Sequence, residues 1–119
     1  MKAYKLISKE NGDSSFLEGS IPTMTHVKAN YFFAQDHIEH WEIAAHCAPR
    51  HQFVITVKGK LKFTVTNGES FSIEPGVILI ADDLKGTGHT WEILEGPEWH
   101  RIYIVPEAGG DDCFVENTI

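Results

Sequence analysis

The residues able to do chemistry gather in two short stretches. "AAHCAPRHQFVITVKGK", Ala44 to Lys60, sets His46, Arg50, His51 and Gln52 against the start of an apolar run, and "KGTGH" ends on His89. Imidazole nitrogens and an amide oxygen, such as those of His46, Gln52 and His89, are ligand types for a first-row divalent metal. Iron, manganese, nickel and zinc all suit such donors. The same three side chains serve equally well as hydrogen-bonding groups of a metal-free pocket. Arg50 offers a planar guanidinium that can grip a carboxylate or enolate with two parallel bonds. Its alternative is an ion pair with Asp82 or Asp83.

These residues need strands to position them. Side chains alternate along a strand, so His46 and Ala48 share one face, and Gln52, Val54 and Thr56 share another segment of wall. His89 and Trp91 share a face in the same way. Val54, Thr56 and Trp91 join Arg50 as candidate substrate-contacting residues. His51 neighbours Gln52 and should point away from it, to an outer face or a subunit interface. Trp41, Trp99, Phe33, Phe53, Phe63, Tyr31 and Tyr103 suit core or interface packing. His26, His37, His40 and His100 are expected on the surface, and Asp82 and Asp83 as solvated loop carboxylates.

Turn signals at Asn11, Glu18, Lys58, Asn67, Glu74, Lys85 and Glu95 divide the chain. Between them, residues 27–33, 38–45, 53–57, 61–66, 77–80, 89–94 and 100–105 are rich in β-branched and aromatic types and predict strands. "LKFTVT" alternates cleanly, and "TVTNGES" predicts a hairpin whose Asn-Gly tolerates a type I′ turn. No amphipathic helix of useful length is evident. Many short strands without a long helix predict an all-β sandwich or barrel. Residues 106–119 form a tail that either frays or docks through Phe114 and Val115.

The chain has 119 residues, enough for one domain with its own core. A net charge of −7 argues against a nucleic-acid surface, which needs clustered Lys and Arg. No apolar run approaches membrane-spanning length. Cys47 and Cys113 are too few for a disulfide framework, and no secretory signal is evident, so a reduced, cytoplasmic protein is expected. Cys47 is read as a small strand residue rather than a reactive thiol.

At the level of motifs the sequence resembles the cupins, small jelly-roll barrels. The family's first motif runs glycine, His-x-His, glutamate and glycine. Here His46 takes the first histidine place, Gln52 the glutamate place, and Gly59 follows after six intervening residues. The second motif centres on Gly-x-x-His, here "GTGH", Gly86 to His89. "HCAPRHQ" and "GTGH" further resemble a subgroup of small single-domain cupins with His-x-Ala-Pro-Arg-x-Gln and Gly-x-Gly-His motifs. The sequence departs from the family at Ala48, where the second histidine is expected, and at Gln52, Leu84 and Ile93. The resemblance implies an antiparallel jelly-roll barrel over residues 1–119, with the motif-bearing core at about 41–105. It implies convergence of His46, Gln52 and His89 inside the barrel mouth, around one divalent metal or none. It also implies a homodimer. The functions open to such a protein are an enzyme of isomerase, lyase or dioxygenase type acting on a small polar or carboxylated molecule, or a non-catalytic ligand-binding or sensing cupin.

Overall fold

The computed structural model, which describes residues 1–118, has eight strands, the first two of which are not among the segments the sequence pattern predicts. They are β1 (Lys2–Ser8), β2 (Ser14–Ser20), β3 (Ala29–Gln35), β4 (Gln52–Thr64), β5 (Ser70–Ile73), β6 (Ile78–Asp82), β7 (Thr90–Pro106) and β8 (Val115–Glu116). One 3₁₀ turn, His40–Glu42, is the only helical element among the described residues. No helix there is long and apolar enough to cross a membrane.

The strands make one mixed sheet in the order β3-β7-β4-β6-β1-β2-β8, with β5 paired to β4. The expectation of a wholly antiparallel arrangement is corrected at β1 and β6, which run parallel with Ala3 opposite Ile78. Hairpin turns betray antiparallel neighbours, but a parallel pair is joined through a long crossover and leaves no local signal. Among the described residues β3 and β8, the ends of the order, do not pair with each other. The sheet nevertheless curls over its own core. Tyr4 on β1 stacks on Phe71 of β5 at 4.6 Å, although their strands are not neighbours.

Two long strands replace four expected short ones. β4 runs through "KGK" and β7 through "EGP", and the pair stays in contact across register shifts between Thr56 and Leu61. Gly59 makes this bend possible. Its φ is +121°, and a Cβ there would stand 2.9 Å from the Glu98 carbonyl oxygen. Residues 38–45 are not a strand: the segment turns at His40–Glu42 instead. The β4–β5 hairpin also differs from the expected type I′ turn, because only Gly68 has a positive φ. Asn67 accepts a bond from the Glu69 amide through its side chain, which stabilises the turn in another way.

The concave face carries the core, with Leu6, Leu61, Phe63, Ile73 and Leu79 all essentially buried. Each such side chain contributes about 1.5–3 kcal/mol through burial. The tail docks on its own sheet. β8 pairs with β2 at Gly19 and Ser20, and Phe114 packs close over Gly19. Asp112 ties the approach, accepting bonds from Lys5 at 2.7 Å and His51 at 2.9 Å. His51 therefore points away from the Gln52 side, as strand alternation predicts.

Candidate functional site

The mouth of the curled sheet is built by pinning one glycine-rich loop to another turn. Gly86 lies against Gly12 so closely that a Cβ would meet the Gly12 carbonyl oxygen at 2.0 Å. Thr87 N–H donates to that same oxygen at 3.0 Å, and Ser14 Oγ donates to the Gly88 carbonyl at 2.7 Å. The loop then delivers His89 to an isolated antiparallel bridge with His46. The two residues exchange backbone bonds of 3.1 and 3.0 Å, and their rings lie 4.7 Å apart, tilted by 60°.

Both imidazoles are anchored through Nδ1. His46 Nδ1 donates to the Ala44 carbonyl at 2.9 Å. His89 Nδ1 donates to Asp83 Oδ2 at 2.5 Å, and Asp83 is fully buried. A carbonyl and a carboxylate accept only, so each ring has a proton on Nδ1, and in the neutral form of either ring Nε2 is the lone pair. Burial holds the His46 pKa below the usual imidazole value, and the nearby His89 pushes the same way, against the Ala44 carbonyl. His46 is therefore neutral at pH 7.

A chamber of about 40 Å³ lies between these rings and the core, walled by His46, Ala48, Gln52, Val54, His89 and Trp91. That is room for a water or a small functional group. The structure thus brings His46, Gln52, His89, Val54 and Trp91 together around one chamber. Thr56 is not among the chamber's walls. Its hydroxyl accepts the indole N–H of Trp99, which is itself in the chamber lining, at 3.2 Å.

Arg50 stands outside the chamber in a second cavity of about 160 Å³ that shares Gln52, Trp41, Pro49 and Tyr103 with the first. Its Nη1 donates to Gln52 Oε1 at 3.0 Å. The ion pair offered as its alternative is not formed: Asp82 lies 3.9 Å from Lys5, and Asp83 serves His89. Among the described residues Arg50 has no carboxylate partner at all, in a chain with an excess of acids.

Four members of this region are missed or placed differently by the sequence reading. Asp83, expected to be solvated, is fully buried, and its Oδ1 has no hydrogen-bond partner among the described residues. Strand parity carries the signal: Leu79 and Ala81 face inward, and Asp83 continues their face. Arg101 and Glu42 form a buried ion pair at 3.0 Å that fixes the 3₁₀ turn against β7. Arg101 also donates to the Tyr103 hydroxyl and the Trp99 carbonyl and lies over the Trp99 ring at 4.3 Å. Parity with Trp99 and Tyr103 would have placed it inward too. Trp41, expected in a core or interface, is half exposed and sits edge-on to His46.

The donor set does not fit the three-ligand metal centre. Two Nε2 lone pairs suit a metal, and the Asp83–His89 bond is the kind that orients a ligating imidazole. The third donor fails, because the Gln52 oxygen is held by a guanidinium whose fixed charge opposes a second cation there. Ala48 contributes only a methyl group. Among the described residues no three His, Cys, Asp or Glu side chains group closely enough to share an ion.

Compared with known protein families, curated proteins and solved structures, the chain matches none.

Proposed function

We propose that this chain is a cupin-type jelly-roll protein that binds a small carboxylated molecule at its mouth and moves a proton on it. The observation that carries this reading is the Asp83–His89 pair. A buried carboxylate holds the Nδ1 proton of His89, so that Nε2 is the basic nitrogen of the neutral ring, beside the His46 imidazole. A buried carboxylate with one partner is costly to keep, so the pair is better explained by chemistry than by stability. The Arg50 guanidinium supplies the charge that holds an acid in place.

In the step proposed, one imidazole Nε2 takes a proton from a C–H next to a carbonyl of the bound acid. The C–H bond breaks, its electron pair becomes an enolate, and the imidazole becomes an imidazolium. That same imidazolium then returns the proton to the enolate, at the original carbon or at another position, and is neutral again. The product class is that of an isomerase or, where a leaving group is expelled, a lyase.

The test is deuterium uptake. Small 2-oxo and 3-oxo acids incubated with the protein in D₂O should exchange C–H for C–D, followed by NMR, and His89→Gln should abolish the exchange. Absence of exchange across the panel, with binding still dependent on Arg50, would leave the ligand-binding, non-catalytic reading in its place. Stoichiometric retention of a divalent metal after dialysis would instead overturn the assignment of Arg50 as the resident cation beside Gln52.

A further inference from the structure

We infer that the ligand is a monocarboxylate with a flat, apolar body, selected over dianions by the charge balance of the outer cavity. This rests on the reading above in placing the ligand at Arg50, and it adds what kind of acid fits.

The first argument is charge. Two guanidinium groups border the cavity, but they are not equivalent. Arg101 is neutralised by Glu42, with bonds of 3.0 and 3.2 Å to its two oxygens, and spends further N–H groups on Tyr103 and Trp99. Arg50 bonds only the neutral Gln52 amide. Arg50 is therefore the one guanidinium bordering the cavity that has no bonded carboxylate. Glu39 stands on the same wall. A first carboxylate can pair directly with the Arg50 guanidinium, but the formal charges of Arg50, Arg101, Glu39 and Glu42 already sum to zero, so a second negative charge meets the Glu39 carboxylate with no cation left to balance it.

The second argument is shape. The Phe33 ring stacks on Tyr103 at 4.9 Å and 25°, and the Arg50 guanidinium lies 5.8 Å from the Phe33 centroid. With Trp41 and Pro49 also in the lining, the walls are mostly flat and apolar. The cavity of about 160 Å³ holds a body the size of one ring or a short conjugated chain. The inner chamber of about 40 Å³ admits only a small reacting group, such as a carbonyl or hydroxyl. The acid group would stay outside on Arg50 while that reacting end enters the chamber walled by His46 and His89.

The experiment titrates the full-length protein with benzoate, terephthalate and inorganic phosphate, followed by tryptophan fluorescence, since Trp41 lines the cavity. Benzoate should bind at least about tenfold more tightly than terephthalate or phosphate, and Arg50→Gln should weaken it by at least about tenfold. A Phe33→Ser variant, which leaves every charge in place, should weaken benzoate while leaving acetate unchanged. Equal affinity for benzoate and either dianion overturns the charge argument. Benzoate binding that ignores both substitutions overturns the site. Benzoate has no exchangeable C–H next to a carbonyl, so its binding is independent of proton transfer. Selective benzoate binding without deuterium uptake on any oxo acid would sink the catalytic reading alone; uptake without benzoate selectivity would sink this one alone.

Discussion

His46 and His89 are locked together through the backbone before their side chains interact at all. Each donates its amide to the other's carbonyl, and the close approach is allowed by the residue just before the second histidine. Gly88 has φ +78°, and a Cβ there would meet the His46 carbonyl oxygen at 2.0 Å. Gly88→Ala should therefore open the bridge and destabilise the protein by about 3 kcal/mol in urea denaturation. The paired histidine amides should lose their hydrogen-exchange protection first. A variant with wild-type stability and protection would contradict the tightness of this contact.

Asp83 sets the tautomer of its partner. Asp83→Asn removes the charge but keeps the volume, so the fold should survive at a cost of about 1–3 kcal/mol. Imidazole ¹⁵N NMR should show the wild-type His89 protonated on Nδ1 and the variant as a mixture of tautomers. Deuterium uptake should fall by about 10²-fold or more. An unchanged His89 spectrum would show that the carboxylate does not direct it.

The site was partly legible in the sequence, and the limits are physical. Alternation placed Gln52 with Val54 and His89 with Trp91, because period-two side-chain direction is a local property. The glycines of "GTGH" marked the loop, because positive φ also leaves a local signature. What local pattern cannot give is burial of a charge. Asp82 and Asp83 are chemically identical neighbours, and only the packed sheet makes one a surface partner of Lys5 and the other a fully buried base-holder. Glu42 was hidden for a different reason. Ile38 to Ala45 has strand-like composition, yet the Glu42 carboxylate takes the Glu39 amide at 2.7 Å and the buried Arg101, which favours a turn. Thr56 has the right parity for the inner wall, but its hydroxyl is engaged by the Trp99 indole, a tertiary contact that local pattern does not show.

His46 makes stability depend on pH in a definable direction. Its folded pKa lies below the ordinary imidazole value of about 6.5, so the unfolded chain binds the extra proton first. Stability should therefore be constant at higher pH and fall as pH drops below about 6.5, until the folded-state pKa is passed. His46→Gln should flatten that part of the curve in pH-dependent thermal melts. A stability that rises on acidification through this range would be incompatible with a desolvated, neutral His46.

Asp112 acts at the acid end. Burial opposes its ionisation, but Lys5, the Phe114 amide and His51 outweigh burial and hold its pKa below the usual aspartate value. Its contribution is thus complete above about pH 3.9 and lost as pH falls through the depressed folded value. Asp112→Asn should cost about 1–3 kcal/mol and release the tail, read as increased proteolysis near Phe114. A tail that stays protected in the variant would assign its docking to β8 and Phe114 alone.

The convex side of β3, β7 and β4 is unusually apolar for a surface that meets water. Phe32 is 71% exposed and Val57 55%, with Ile55, Ile102 and Ile104 between them on outward positions. The expected homodimer would form there. Light scattering should give twice the chain mass of 13.4 kDa, and Phe32→Glu should reduce it to the monomer. A wild-type monomer at high concentration would remove the dimer from consideration.

The two histidines come from segments that meet only when the β1–β2 turn, the "GTGH" loop and the approach to β4 are all in place. No partly folded form can present both rings, so affinity for any ligand held between them belongs to the native state alone. Such a ligand raises the melting temperature by mass action, with about 2.7 kcal/mol gained at a hundredfold excess over its dissociation constant. A thermal-shift screen of small acids would thus find the natural ligand even with the reaction still unidentified.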